Sequence, residues 1–261
     1  EIPLGVTSVS SYAFGGCNAL TNVKLHANIT NIGEYAFDGC NKLKNVDLPE
    51  NLITISDYAF QNCTSLTDIK IPDKVTDIGQ YAFSSCSNVL TISVGNSLKT
   101  IGQYAFSYLP KVKELILPDS TTSIGRAAFR GCTALTEITL PFIGGSRTSI
   151  GTSGVFGYIF DYATSESSST TYQYKSGSTY YYYYIPSSIK KVTVTNATKI
   201  PENAFNNCSN ITEIVLNDEI TSIGDHAFYS CTGLDNFKLP NGLKSFGSRS
   251  FFNCDSLTDI E

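Results

Sequence analysis

Cysteine is the residue of this sequence with the clearest capacity for chemistry, as a metal ligand, a nucleophile or a disulfide partner. Zinc sites built on thiolates use pairs such as CxxC, and the sequence has no such pair. A disulfide needs side chains that converge, whereas regular spacing predicts a column of parallel side chains. We therefore expect free thiols that fill the core as small apolar groups. Eight cysteines occur, each three residues after a phenylalanine: Cys17, Cys40, Cys63, Cys86, Cys132, Cys208, Cys231 and Cys254.

Histidine, the usual general base, is scarce. His26 and His226 lie far apart in the sequence, and no nucleophile can be paired with either of them. The glycine-rich stretch GGSRTSIGTSG, residues 144–154, lacks the lysine of a phosphate-binding loop, and we interpret it as a flexible insert. Carboxylates are plentiful but fall at predicted solvent-facing positions. The sequence therefore predicts a protein that is not an enzyme and that has no cofactor and no metal site.

Charge and hydropathy exclude further classes of partner. The net charge is −5, the signs are mixed, and Lys and Arg form no cluster, so nucleic acid and anionic membranes are not expected partners. No stretch approaches the roughly 18 consecutive apolar residues of a membrane span, so no membrane insertion is expected. The chain opens on Glu1 and contains no methionine, and we expect it to be part of a longer protein whose targeting signals lie elsewhere.

A period of 23 residues organises the elements that must position these side chains. In each repeat, a segment of the form Leu-x-x-Ile-x-Ile predicts a strand with one apolar face. No single repeat can bury both this face and its phenylalanine, so neighbouring repeats must stack in register into a solenoid. The repeat phenylalanine follows Ala or Ser at Phe14, Phe37, Phe60, Phe83, Phe106, Phe129, Phe205, Phe228 and Phe251.

Each predicted strand is followed by a turn and a return segment. Glycine recurs at the corner, which indicates either a positive φ or a close approach of two backbones. The Ala-Phe pair is interpreted as lying in a single turn of helix. The corner glycines are Gly33, Gly79, Gly102, Gly125, Gly224 and Gly247.

The unit C-x-x-L-x-x-I-x-L-P-x-x-V-x-x-I-G-x-Y-A-F resembles the repeat of the BspA-type leucine-rich repeat family, over residues 1–141 and 185–261. The resemblance implies a leucine-rich repeat solenoid with a parallel β-sheet on the concave side and short helical turns or loops on the convex side. It also implies an extracellular or cell-surface protein that adheres to host or microbial surface proteins. Leu109 in place of cysteine is one of a few departures.

The sequence divides into a block of repeats at 1–141, a degenerate repeat with a tyrosine-rich insert at 142–184, and a second block at 185–261, expected to form a single continuous solenoid. The segment TYQYKSGSTYYYYYIP predicts a β-hairpin around its Ser-Gly-Ser turn. A strand would place Tyr180, Tyr182 and Tyr184 on one side and Tyr181 and Tyr183 on the other. The insert is also similar to a module that interrupts other members of the family.

Two surfaces are candidate binding sites. The hairpin is either a plug that covers a corner of the solenoid or an aromatic platform for a protein or a glycan. The polar columns of the concave sheet contain no aromatic or Arg anchor, so they would bind weakly or through repetition. Alternatives to adhesion are a carbohydrate-binding module or a spacer within a larger surface protein or enzyme. The candidate residues are Tyr172, Tyr174, Tyr180, Tyr181, Tyr182, Tyr183, Tyr184, Lys70, Glu114, Glu137 and Glu213.

Overall fold

The computed structural model describes residues 2–163, 170–176 and 178–260. They form two compact units, Glu1–Leu135 and Thr136–Glu261. Both units are solenoids of short parallel strands, which confirms the fold class predicted from the period.

Each repeat of the first unit contributes strands to two sets of parallel strands: the odd-numbered strands form one sheet, and among the even-numbered strands β2 pairs with β4 and β6 with β8. The even-numbered strands carry the Leu-x-x-Ile-x-Ile pattern. The odd-numbered strands are two residues long and precede the corner residue, which is glycine after β3, β7, β9 and β11 and serine after β1 and β5. The strands are β1 (Ser8–Val9), β2 (Asn22–Lys24), β3 (Asn31–Ile32), β4 (Asn45–Asp47), β5 (Thr54–Ile55), β6 (Asp68–Ile71), β7 (Asp77–Ile78), β8 (Thr91–Val94), β9 (Thr100–Ile101), β10 (Glu114–Ile116) and β11 (Ser123–Ile124).

Pairing in both sets of strands is in register at the period of the sequence. Val23 lies opposite Val46 and Ile69 opposite Ile92, so equivalent side chains of successive repeats stack on one another. The odd-numbered strands form one continuous sheet from β1 to β11. In β6 the buried and exposed residues alternate, as a strand with one apolar face requires.

The repeat phenylalanines form the centre of the core in the first unit. Phe37, Phe60, Phe106 and Phe129 are essentially inaccessible to solvent. Successive rings from Phe14 to Phe129 lie nearly parallel, with centroid distances between 5.1 and 5.9 Å. A buried aromatic side chain removes about 150–250 Å² from water, so this column accounts for much of the apolar area that stacking buries.

The return segments are series of tight turns and not the turn of helix expected from the sequence. The residue two before each phenylalanine has a positive φ, for example +58° at Tyr58, which a right-handed helix excludes. At the corner glycines the close-approach interpretation is confirmed. A side chain at Gly33 would place its Cβ 2.7 Å from the backbone nitrogen of Ser11 in the preceding repeat, and Gly33 has no positive φ.

The second unit has the same two kinds of strand and one additional sheet. Strands β12, β16, β18, β20 and β22 lie side by side in that order, and β17, β19 and β21 form the second parallel sheet. The strands are β12 (Glu137–Leu140), β13 (Tyr162–Ala163), β14 (Thr171–Ser176), β15 (Thr179–Tyr183), β16 (Lys191–Val194), β17 (Lys199–Ile200), β18 (Glu213–Leu216), β19 (Ser222–Ile223), β20 (Asn236–Phe237), β21 (Ser245–Phe246) and β22 (Asp259–Ile260).

A segment with some of the contacts of a repeat lies between β12 and β16. Phe156 occupies the position of a repeat phenylalanine: its ring lies 5.3 Å from that of Phe205, and its N–H donates to the carbonyl of Ala204, as Phe37 does to Ala59. Two 3-10 helices, Gly151–Ser153 and Phe156–Phe160, are the only helices among the described residues. Most of the glycine-rich stretch therefore lies in turns and a 3-10 helix beside a buried Phe156.

Candidate binding surfaces

The tyrosine-rich insert forms the predicted hairpin. Strands β14 and β15 are antiparallel, and β13 pairs with the other edge of β15. The register shifts at Gln173, so Tyr172 lies opposite Tyr182 while Tyr174 lies opposite Tyr181. This β-bulge places Tyr172 and Tyr174 on opposite faces of the hairpin, whereas an unbroken strand would place them on the same face. Tyr184 lies just beyond the end of β15.

One face of the hairpin, the outer tyrosine face, consists of Tyr172, Lys175, Tyr180 and Tyr182. The ring of Tyr172 lies 5.6 Å from that of Tyr180 and 5.9 Å from that of Tyr182. The ammonium group of Lys175 lies 4.6 Å from the centroid of the Tyr180 ring and donates to its hydroxyl over 3.0 Å. This hydrogen bond raises the pKa of Lys175. Tyr180 is 43% exposed.

The opposite face, the inner tyrosine face, consists of Tyr162, Tyr174, Tyr181 and Tyr183. The ring of Tyr162 packs edge-on against Tyr181 at 5.4 Å and lies 6.0 Å from Tyr183. Tyr183 is completely buried and donates its hydroxyl hydrogen to the carbonyl of Thr152. Burial is the main cause that raises the pKa of Tyr183. Within β15, Tyr180 and Tyr182 therefore lie on a different face from Tyr181 and Tyr183.

Gln173, the bulged residue, anchors the hairpin to the repeats, and the sequence pattern did not identify it. Its side chain is completely buried. The amide oxygen accepts from the N–H of Gly157 at 2.6 Å. The amide nitrogen lies 3.3 Å from the carbonyl oxygen of Ala204, 3.2 Å from that of Asn206 and 3.2 Å from the sulfur of Cys208. In regular repeats, the carbonyl at the position of Asn206 accepts a hydrogen bond from a backbone N–H of the preceding repeat. The Gln173 amide therefore supplies the donor that a regular preceding repeat would provide.

The cysteine column contains no disulfide, as predicted, and most of its thiols form hydrogen bonds to backbone carbonyls. All eight cysteines are free, and six of them are buried. Six of the thiols donate to the carbonyl of the phenylalanine in the preceding repeat, for example Cys63 to Phe37 at 3.2 Å. The prediction of buried thiols was wrong for Cys17. This cysteine is exposed, because its repeat is stacked on one side only in this chain.

Four further candidates lie on the exposed face of the even-numbered strands. Lys70 belongs to β6, Glu114 to β10, Glu137 to β12 and Glu213 to β18, and all four side chains are exposed. Glu137 and Glu213 both lie in register with Lys191, which forms a salt bridge of 2.7 Å with Glu213. An exposed pair of this kind contributes at most about 1 kcal/mol.

A column of stacked tyrosines on the first unit was not anticipated as a structural element. Five rings lie parallel with centroid distances between 4.4 and 4.9 Å. The Arg126 guanidinium lies near the last ring and donates to its hydroxyl at 3.3 Å. Every one of these tyrosines has a positive φ, a conformation that is unfavourable for non-glycine residues. The rings are those of Tyr12, Tyr35, Tyr58, Tyr81 and Tyr104.

Metal-ligating side chains do not cluster in the described part of the chain. No group of three or more His, Cys, Asp or Glu side chains is placed to hold a metal ion there. Across the same residues, no helix has the length and apolar character needed to cross a membrane.

Known proteins similar to this chain include a repeat family and several solved structures. The sequence model of the BspA type Leucine rich repeat region matches the chain in six copies, over residues 1–113, 99–176 and 175–261. No curated protein matches it. Among solved structures, the pneumococcal vaccine antigen PcpA is 22% identical, with a TM-score of 0.50, and the alignment covers 98% of this chain and 67% of that chain.

Two further solved structures are similar to this chain. A leucine-rich repeat protein from Bacteroides ovatus ATCC 8483 is 22% identical with a TM-score of 0.43, and the alignment covers 98% of this chain and 82% of that one. A leucine rich cell surface protein from Faecalibacterium prausnitzii A2-165 is also 22% identical with a TM-score of 0.43, and the alignment covers 98% and 83% of the two chains.

Proposed function

This chain belongs to the BspA-type leucine-rich repeat family, and on that basis we propose that it is a non-catalytic recognition protein of the cell surface or extracellular space that binds proteins on host or microbial surfaces. Stacked repeats provide a rigid support, since each repeat is held by hydrogen bonds and rings of its neighbours. A rigid support suits recognition because little ordering is needed on binding.

The observation that carries this proposal is the aromatic cluster on the outer tyrosine face, where Tyr180 is exposed and Tyr172 and Tyr182 are half-buried. Tyrosine provides a large contact area with few rotatable bonds, and aromatic residues are enriched at the centres of protein interfaces. Here the rings of Tyr172, Tyr180 and Tyr182 contact one another, and Lys175 holds Tyr180 by its ring and its hydroxyl. The surface is thus partly exposed, and its rings already contact one another in the absence of a partner.

The polar columns have a supporting role in this proposal. Lys70, Glu114, Glu137 and Glu213 are exposed, and Glu213 is already paired with Lys191. Contacts to such residues are weak individually and add up only when many repeats engage one partner. We therefore assign the main contact to the hairpin and not to these columns.

The test is adhesion of beads coated with the chain to cultured epithelial cells. We expect the beads to adhere, and protease treatment of the cells to abolish adhesion, whereas enzymatic removal of cell-surface glycans leaves it unchanged. The triple variant Tyr172→Ser/Tyr180→Ser/Tyr182→Ser should reduce adhesion at least about tenfold, since interface anchors of this type typically contribute about 2 kcal/mol or more each.

A matched control is Tyr108→Ser in the first unit. Tyr108 is an exposed tyrosine outside the hairpin, and the equivalent residue of the preceding repeat is Ser85, so serine is compatible with this position. Circular dichroism should show that both variants remain folded. Adhesion that is equally strong in the triple variant and in the unaltered chain would refute the assignment to the outer tyrosine face.

A further inference from the structure

A cleft in the second unit lies between the hairpin and the second parallel sheet, on the side opposite the outer tyrosine face. Its volume is about 680 Å³, within the range of clefts that hold a small organic ligand. The hairpin contributes Tyr174 and Tyr181 to its wall. Ile150, Gly151, Thr152, Lys199, Glu202 and Ser222 contribute to the rest of the lining.

The aromatic wall of this cleft is fixed in place. The rings of Tyr174 and Tyr181 lie 6.1 Å apart, and Tyr162 packs edge-on against Tyr181 from behind. Both Tyr174 and Tyr181 are half-buried, so each keeps part of its surface accessible. Ile150 also lines the cleft, is 75% exposed and adds apolar surface. A ligand would therefore meet preformed apolar contacts.

The polar lining is rich in hydroxyl groups and balanced in charge. Ser149, Thr152 and Ser222 carry hydroxyls, and each tyrosine adds a phenol group. Lys199 and Glu202 are the charged residues that line the cleft, one of each sign, so the lining has no net charge. An anionic ligand such as a nucleotide or a sulfated glycan would find a single cation opposed by a carboxylate. The lining thus favours a neutral ligand with many hydroxyl groups.

Gly151 keeps this cleft open. Its φ is +60°, and a Cβ at this position would lie 3.3 Å from the hydroxyl oxygen of Tyr174. A larger side chain at this position would therefore extend toward the ring of Tyr174. The glycine is explained both by its backbone conformation and by the space beside Tyr174.

We propose that this cleft binds a neutral oligosaccharide. A pyranose ring has an apolar face of C–H groups, which packs against an aromatic side chain, and a rim of hydroxyls, which needs donors and acceptors close by. Tyr174, Tyr181 and Ile150 supply the first kind of contact, and the hydroxyls with Lys199 and Glu202 supply the second. The cleft is separate from the outer tyrosine face, so this proposal does not depend on the proposed protein partner.

The experiment measures binding of neutral hexasaccharides by isothermal titration calorimetry. The probes are cellohexaose, xylohexaose, mannohexaose, laminarihexaose and chitohexaose, with a heparin-derived hexasaccharide as the anionic comparison and an extended peptide library as the alternative class. We expect at least one neutral hexasaccharide to bind, and the anionic one and the peptides not to bind. Failure of every neutral probe at millimolar concentration, or tighter binding of the heparin fragment or of a peptide, would overturn the proposal.

The decisive variant is Gly151→Asn, because asparagine tolerates a positive φ better than other non-glycine residues. Its side chain would enter the cleft and should weaken binding of the hexasaccharide at least about tenfold. The matched control is Gly16→Asn, since Gly16 also has a positive φ, +73°, and a Cβ added there would meet no other atom within 4 Å. Equal binding by Gly151→Asn and the unaltered chain would place the sugar elsewhere and overturn the assignment. Bead adhesion through the outer tyrosine face should be unchanged in both variants, which separates this test from that of the proposed function.

Discussion

The thiol of Cys86 donates a hydrogen bond to the carbonyl oxygen of Phe60, in the preceding repeat, over a sulfur–oxygen distance of 3.2 Å. Cys132 makes the same contact with Phe106 at 3.3 Å. Burial raises the pKa of both thiols to about 12, because the thiolate would lose its solvation. These cysteines are therefore structural donors that remain protonated in the folded protein.

The first prediction concerns stability at alkaline pH. The pKa of an unfolded cysteine is about 8.5, whereas burial raises the pKa of Cys86 to about 12 in the folded state. Above the unfolded pKa the unfolded state therefore holds fewer protons than the folded state, and the free energy of unfolding falls as the pH rises. Urea denaturation at several pH values should show this decline. In Cys86→Ala the slope should be shallower by up to about 1.4 kcal/mol per pH unit, the contribution of one proton; identical slopes would contradict the shifted pKa.

A second prediction concerns the accessibility of the thiols. With Ellman's reagent in the native state, Cys17 should react quickly, Cys254 more slowly, and the six buried cysteines only after unfolding. Denaturation without a reductant should release eight free thiols in total. Cys17→Ser should remove the fast phase and nothing else. A total below eight would show that disulfides exist and would refute the unpaired column.

The third prediction isolates the cost of the positive φ. Ala127 has a φ of +59° in the position that tyrosine fills in other repeats, and its neighbour Ala128 has no positive φ. Both are buried. Ala127→Gly relieves about 1–2 kcal/mol of left-handed strain and loses a buried methyl of about 0.8 kcal/mol. Ala128→Gly loses an equivalent methyl without relieving any strain, and both variants carry the backbone entropy cost of glycine, about 0.5–1 kcal/mol. Urea titration should find Ala127→Gly more stable than Ala128→Gly by at least about 1 kcal/mol, and the reverse order would exclude strain at this position.

The fourth prediction concerns the phenylalanine column. Phe83 stacks between Phe60 and Phe106 and is nearly inaccessible, whereas Phe14 stacks on Phe37 alone and is only partly buried. Phe83→Ala should cost about 3–5 kcal/mol through the cavity that it leaves. Phe14→Ala should cost clearly less, because it loses one neighbour and not two. Chemical denaturation should give the loss in free energy of unfolding for each variant. Equal losses would be inconsistent with nearest-neighbour stacking.

The fifth prediction separates the two faces of the hairpin. Tyr183→Ser removes a fully buried ring and its hydrogen bond to Thr152, so it should destabilise the chain by about 3–5 kcal/mol. Tyr180→Ser alters an exposed side chain and should change the free energy of unfolding by no more than about 0.5 kcal/mol. Thermal melts monitored by circular dichroism provide the measurement. A similar loss in both variants would mean that the hairpin serves only as a plug.

Much of the fold follows from the sequence because its period is so regular. The nine strands of the Leu-x-x-Ile-x-Ile pattern all occur, and the buried positions of β6, Ile69 and Ile71, are the predicted ones. The second sheet was not anticipated because its strands are two residues long, too short for alternation to show. The prediction of a helical return segment was wrong, because nothing in the sequence reveals that Tyr58 adopts a positive φ.

The candidate surfaces were only partly predictable. Alternation along Tyr180–Tyr183 correctly separates the two faces of β15. In β14, however, the bulge at Gln173 places Tyr174 on the face opposite Tyr172, where simple alternation would place both on the same face. A bulge leaves no signal in a stretch of tyrosines. Gln173 was missed for the same reason, since a single amide in a polar segment has no periodic partner. Its importance becomes visible only once its four contacts are known.

Gln173 also has a consequence for how this chain can diversify. The amide of one side chain contacts mainly backbone atoms of the repeats, Gly157, Ala204 and Asn206, which most substitutions leave in place. The attachment of the hairpin therefore does not depend on the side chains of the outer tyrosine face. Substitutions at Tyr172, Tyr180 and Tyr182 would change that face and leave the contacts of the Gln173 amide in place.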